Sequence, residues 1–249
     1  MEGWVPLHPE KPQLAKIVKR EYSLYNKREY SRLFFCGGKD IFMPKISQQQ
    51  KEAIRMDILN SARHVFIEKG YEATSMSDIV TSSSRSFGGV YLYYSGKEDV
   101  FLDLLRREYE NMALDFVLEE QSSAWNTFVQ FIRGQERRVR EANTGLAPCL
   151  YEYFIVGRRE DHRRKLIEKR SQSVYGALFD LIHYGVQRGE FHPAQPSDIF
   201  VHWLISLLEG LYIESIINGS ENIKLSQQFE LLITVCRSIL MPSGLEGNI

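Results

Sequence analysis

The chain lacks an excess of charge of either sign. Its 249 residues hold 31 lysines and arginines against 32 acids, a net charge of −1. No global basic field exists, so any binding of nucleic acid has to rest on a local patch and on oriented dipoles. Cysteine is scarce, with Cys36, Cys149 and Cys236 far apart. Three such cysteines exclude a disulfide framework and suit a reducing compartment. No apolar run reaches the roughly 18 residues of a membrane span, and the N-terminus carries no continuous hydrophobic signal core. A cytoplasmic protein without a membrane partner is expected. Strand alternation, internal repeats and low-complexity tracts are also missing, which leaves an all-α fold.

The familiar catalytic constellations are absent too. His8, His64, His162, His183, His192 and His202 form no close ligand pair. Glu119 and Glu120 are adjacent, so they do not face each other on a helix. There is no phosphate loop, nucleophile elbow or dinucleotide fingerprint. No catalytic residue, metal or cofactor is expected, and the chain is not read as an enzyme. Cys149, near a helix start, could be a low-pKa thiol, but the expectation is a buried, inert cysteine.

What the chain does have is helical periodicity, organised around residues 61–101. Ser47 and Gln50 can form a capping box for a first helix. Ile54, Ile58, Ala62 and Phe66 follow four apart on one face of it. Gly70 ends it, because glycine takes a left-handed conformation cheaply. Thr74 and Ser75 offer N-cap oxygens to a short helix, with Asp78 completing a capping box from Ser75. That helix turns Ile79 and Val80 inward, and the polar run 81–84 breaks it. Ser86 can cap a third helix, 87–94, with Val90 and Tyr94 on one face. Ser95-Gly-Lys-Glu98 reads as a further capping box that opens a longer helix.

A helix-turn-helix lies inside this stretch. Its third helix would enter a major groove, N-terminal residues toward the base edges. Gly88 and Gly89 would let the backbone approach closely. Thr74, Tyr91 and Tyr93 can donate hydroxyls to phosphates, and Lys97 stands at a helix N-terminus where a phosphate is attracted. The alternative is that the two tyrosines merely cover a small domain. Candidate DNA contacts are therefore Thr74, Ser75, Ser86, Phe87, Gly88, Tyr91, Tyr93 and Lys97.

The run Ala-Arg-x-x-Phe-x-x-Lys-Gly-Tyr at 62–71 is followed by Thr74 and by Ser-Asp-Ile from Ser77. Gly-Val-Tyr-Leu-Tyr-Tyr at 89–94 and Lys97-Glu98 complete the set. In this order and spacing, it resembles the DNA-binding domain of the tetracycline-repressor (TetR) family of bacterial transcription regulators, over about residues 54–105. Two departures stand out. Where the family usually has glycine and then an apolar residue, this chain has Ser84 and Arg85. Where a polar or basic residue often follows the Ser86 position, it has Phe87. One reading is local drift, with the Arg85 stem lying over the core. The other is an altered recognition surface in which Phe87 touches a thymine methyl.

Beyond this stretch the chain stays helical. Residues 149–156 read as a short aromatic helix, 160–188 as a long one, and 198–217 and 226–240 as two apolar ones. Trp125, Phe128, Tyr153, Phe154, Tyr175 and Phe179 are candidate walls of an effector pocket, since ligand sites are mostly apolar; ordinary core is the alternative for each. The two C-terminal helices are apolar over a wide arc and must be buried in a core or against a partner. By the resemblance they pair with their copies in a homodimer, with Trp203, Leu207, Leu211, Phe229 and Ile233 as candidate contacts. Two-fold symmetry then implies a near-palindromic site on double-stranded DNA.

The expected organisation is 1–42 as an N-terminal extension, 43–98 as the DNA-binding domain and 99–249 as an effector-binding and dimerisation domain. Met43 reads as a natural start that gives a usual family length, so 1–42 is either a leader from a misplaced start or a basic arm for phosphates. The implied function is a ligand-responsive repressor released from its operator by a small apolar or aromatic molecule. A constitutive activator without an effector is one alternative. A helical enzyme or adaptor with a vestigial DNA domain is another.

Overall fold

The computed structural model describes residues 47–113, with 109–113 as backbone only, and 123–243. The expectations for 1–42, for Cys36 and for Glu119 and Glu120 lie outside the described residues. All regular structure among the described residues is helical, which makes the fold all-α. The described residues divide into two compact units, 47–109 and 110–243.

The first unit holds α1 (Gln48–Lys69), α2 (Met76–Ser82), α3 (Phe87–Tyr91) and the start of α4 (Lys97–Ala113). Its helix ends follow the local chemistry. Ser47 and Gln50 form a reciprocal capping box on α1, and Ser75 and Asp78 form one on α2. Lys69 Nζ meets Asp78 Oδ1 at 2.6 Å. That ion pair, helped by the bonds from Ser75, holds the Asp78 carboxyl well below the usual range. At Gly70 the chain takes φ 81° and its N–H donates to Phe66 O, a conformation open to glycine and costly for other residues. Ser86 caps α3 by accepting from Gly89 N–H. The helix is shorter than the spacing suggests and stops at Tyr91. At α4 the partner of Ser95 is Asp99, not Glu98: both the Ser95 N–H and its hydroxyl donate to Asp99 Oδ2.

The core of this unit is an aromatic cluster. Phe66 meets Phe101 edge-on at 5.0 Å between centroids, and Tyr71 lies 4.8 Å from Phe101. Ile58, Ala62, Ile79, Val90 and Val100 close around it without exposure. Each large side chain buried in this way contributes roughly 1.5–3 kcal/mol.

The second unit contains α5 (Ala124–Arg140), a 3-10 turn (Ala142–Thr144), α6 (Ala147–Gly157), α7 (Asp161–Gln187), α8 (Ser197–Asn218) and α9 (Leu225–Leu240). One core runs through it, built from Phe128, Ile132, Leu181, Val201, Leu204 and Phe229 among others. Long-range polar bonds fix its ends. Glu190 Oε2 accepts from Ala124 N–H and so caps α5 from the far end of α7. His192 and Ala194 donate backbone N–H groups to Leu240 O and Ile239 O, which ties the α7–α8 turn to the end of α9. Inside the α7 terminus, Gly185 lies under the Phe191 ring; a Cβ there would fall 2.3 Å from the ring edge.

α8 begins at Ser197, after Pro196 and without a side-chain cap, one residue before the expected start at 198. By length and composition alone the helix is long and apolar enough to cross a membrane. Its geometry explains that composition. Phe200, Val201, Leu204, Leu208 and Leu211 line the core side, while Ile199, Trp203 and Ile217 lie on the other and are exposed.

Candidate nucleic-acid interface

The α2–α3 pair presents its anchors inward and its nose outward. Ile79, Val80, Val90 and Tyr94 are buried. Ser75, Ser86, Phe87, Gly88, Tyr91 and Leu92 are exposed, and Tyr93 is half-buried. Phe87 and Tyr91 are 53% and 49% exposed, and their rings stack with centroids 6.4 Å apart. Gly88 borders open space, with nothing within 4 Å of where a Cβ would sit.

The two departures in the turn have different consequences. Ser84 occupies the position where glycine is expected and takes φ 54°. Arg85 stretches back across the unit and pairs with Asp57 through Nη2 at 2.7 Å. Its stem is mostly covered, so the arginine is part of the scaffold.

Two expected phosphate contacts are engaged elsewhere. Thr74 is buried, and its hydroxyl donates to Gly70 O at 2.6 Å. The Lys97 ammonium donates to three carbonyls, Tyr71 O, Glu72 O and Thr74 O, each at 2.9 Å. It also sits 4.7 Å from the Tyr71 ring centroid. Lys97 therefore clamps the start of α4 onto the turn after α1, with all three ammonium protons directed into the chain. Sequence spacing could not separate the two roles, because an ammonium beside a helix start suits a phosphate and a ring of carbonyls equally.

The clamp is one of several. Tyr94 donates to Asp103 Oδ2 at 2.8 Å, and Arg106 and Arg107 flank that carboxylate. Arg107 also reaches Glu52 on α1 at 2.6 Å. Burial raises the Tyr94 phenol far above its ordinary value, and Asp103 adds to the effect. Burial acts to raise Asp103 as well, but the Tyr94 hydroxyl and Arg106 outweigh it and hold the carboxyl below its usual range. Among the described residues no group of histidine, cysteine, aspartate or glutamate could hold a metal ion.

Comparison with known proteins bears on this architecture. The model of bacterial regulatory proteins of the tetR family matches residues 58–104, and that of the tetracyclin repressor-like C-terminal domain matches 127–226. The transcriptional regulator YfiR of Bacillus subtilis is 31% identical over 170 residues, covering 68% of this chain and 82% of its own. The chain is a TetR-family regulator. The transcriptional repressor AcnR of Corynebacterium diphtheriae is 24% identical over 79% of this chain and 98% of its own. The structure of Salmonella enterica GusR superposes with a TM-score of 0.63 at 19% identity, covering 79% of this chain and 99% of its own, and so shares the fold. A TetR-family chain of this kind is a helix-turn-helix regulator of transcription and not an enzyme.

In this TetR-family regulator the six aromatics expected as an effector wall fall into two packing groups, four in or against the main core and two on α6. Trp125 and Phe128 are buried in the core, and Phe128 lies against Phe200. Tyr175 and Phe179 stack at 5.7 Å and are half-buried against that core, with His202 4.6 Å from Tyr175. Tyr153 and Phe154 pack on each other, under the guanidiniums of Arg163 and Arg170 respectively. An open cavity of about 290 Å³ is lined by none of the six; Val129, Phe131, Arg133, Gly134 and Arg138 of α5 border it, with Gln130 and Arg137.

One polar group in this unit gave no sequence signal. Tyr151 donates to Glu209, which also accepts from Arg170 at 3.2 Å. The partners are 58 and 39 residues away from Glu209, beyond any local pattern. Cys149 is buried, and its thiol is pushed up to about 11 by burial and by Glu152, an unreactive cysteine.

The candidate dimer contacts also separate. Trp203 is exposed, and Leu207 and Ile233 are half-buried. Leu211 and Phe229, expected at an interface, are core instead, at 4% and 0% exposure. The correction follows from helical phase: Leu211 stands seven residues after Leu204 and shares its inward side, while the outward side is set by Ile199, Trp203, Ser206, Gly210 and Ile217.

Proposed function

We propose that the protein is a homodimeric repressor that binds a near-palindromic operator and is released from it by a small apolar or aromatic molecule. Regulators of this family bind DNA and are dimers. The observation that carries the reading for this chain is the exposed nose of α3. Two large aromatic rings stand in water there while every anchor of the helix-turn-helix is buried. Exposed aromatics grouped in this way mark a binding surface. Residues 43–98 supply the DNA-binding part and 99–249 the effector and dimer part.

Ser75, Ser86, Phe87, Gly88, Tyr91 and Tyr93 face the duplex in this reading. Thr74 and Lys97 contribute by holding the unit's shape. The clamps at Lys97, Asp103 and Arg107 couple α4 to the helix-turn-helix, so a displacement of α4 carries the α3 nose with it. An effector releases the operator only through differential affinity for the two arrangements, however tightly it binds. The half-buried Tyr175–Phe179 stack with His202 is the best-supported part of an effector wall, because it combines apolar faces with a polar edge.

Footprinting of the full chain on the DNA upstream of its own gene tests the proposal. A protected near-palindrome that loses protection with a small aromatic ligand is the expected result. No protected site at any protein concentration would remove the repressor reading. Protection without ligand release, and loss of transcription on gene deletion, would favour the constitutive activator.

A further inference from the structure

The recognition helix has few ways to tell one base from another. From Ser86 to Leu92 it carries no charged or amide side chain. The Ser86 hydroxyl already accepts from Gly89 N–H at 3.1 Å. Arg85, the nearest cation in the turn, is drawn away to Asp57. Reading of guanine, adenine or cytosine by hydrogen bonds uses arginine, lysine, asparagine, glutamine or acidic groups. None of these projects from this helix. What projects is the Phe87–Tyr91 stack, flanked by the open backbone of Gly88. The thymine C5-methyl is the apolar mark that unmodified B-DNA shows in its major groove.

We infer that Phe87, backed by the Tyr91 ring, is the specificity-determining residue of this helix, and that it reads a thymine methyl in each operator half-site. This rests on the DNA-binding reading above and goes further by naming what is recognised. The Tyr91 ring lies beside the Phe87 ring and restricts its rotation on one side, which lowers the side-chain freedom to be lost on binding. The Tyr91 hydroxyl stays available for a phosphate. A helix that reads by methyl contact discriminates modestly at each position, so the second half-site is needed for useful selectivity.

Deoxyuridine substitution tests this directly, because an A·U pair keeps every hydrogen-bonding group of A·T and lacks only the methyl. The full chain is used to select its operator from a randomised duplex pool, and each thymine is then replaced singly by deoxyuridine. One thymine per half-site should show a loss of about fourfold in affinity, the value of one buried methyl group. Replacing the symmetric pair should multiply the two losses. Phe87→Ala should bind thymine and uracil operators alike, and Phe87→Leu should keep part of the difference. Phe87 is exposed, so both variants should retain wild-type circular dichroism and melting. Equal binding of the wild type to thymine and uracil operators overturns the inference and leaves the repressor reading standing. So does a Phe87→Ala chain that keeps full uracil sensitivity. A pool in which no sequence is enriched overturns both.

Discussion

Ser84 takes a backbone conformation that its side chain disfavours. At φ 54° its Cβ crowds the following carbonyl, a cost of about 1–2 kcal/mol for a residue other than glycine. The serine has no compensating role visible in the turn, where its N–H donates to Thr81 O as any residue's would. Ser84→Gly should therefore stabilise the first unit by about 1 kcal/mol, after allowing for glycine's greater freedom in the unfolded chain. A rise in melting temperature is the readout, and a fall would show that the strain is not where the dihedral places it. Asp103 supports a prediction of the opposite kind. Its carboxyl sits below its unfolded value of about 3.9, so the stability it supplies is complete above that pH. That contribution drains away as pH falls from about 4 through the folded value. Asp103→Asn should lower the melting temperature at pH 6 and should flatten the acid limb of a melting-versus-pH curve below about pH 4. An unchanged acid limb would mean that Asp103 does not carry the linkage.

Among the elements, α4 shows what spacing can and cannot convey. The helix itself was legible, as were the capping boxes at Ser47 and Ser75 and the stop at Gly70, because caps and periodicity are local chemistry. The partners across the fold were not. Lys97 contacts carbonyls 23 to 26 residues back, and Arg85 finds Asp57 28 residues away. The candidate site divides along the same line. That α3 exposes Phe87 and Tyr91 follows from the inward phase of Val90 and Tyr94. That Thr74 and Lys97 turn into the unit depends on the tertiary approach of α4 to the α1–α2 turn. The two roles for Lys97 separate by experiment. As a clamp, Lys97→Met should destabilise the unit by about 1.5–3 kcal/mol, the value of hydrogen bonds to a charged group. Its operator affinity, measured below the melting transition, should then keep its salt dependence. As a phosphate contact, the same change would leave stability alone and would reduce the log–log salt slope by roughly 0.9 for each half-site occupied. Denaturant unfolding and binding at several salt concentrations decide between them.

For the whole molecule the question is what covers the outward side of α8. Ile199, Trp203, Ser206, Gly210, Ile213 and Ile217 recur at intervals of three and four and form one stripe. The opposite side of the helix is fully committed to the core, so the stripe is apolar surface left over after folding. On α9, Leu231 stands out in the same way. Such a stripe with a glycine at its middle suits close approach of a second copy about a two-fold axis, where each patch meets itself. Gly210 isolates that contact from the fold. A Cβ at this position meets nothing within 4 Å in the single chain, so a larger side chain costs the monomer nothing in space. It should even gain about 0.5–1 kcal/mol from helix propensity. In a dimer built on this stripe, the same side chain would drive the two helices apart and bury a charge without a partner. Gly210→Glu should therefore sediment as a monomer of unaltered helicity. Operator affinity should fall by orders of magnitude, because a single α3 nose keeps only one half-site. A Gly210→Glu chain that remains dimeric and binds its operator normally would place the interface elsewhere on the molecule, while a monomer that still binds tightly would break the link between the pair and the palindrome.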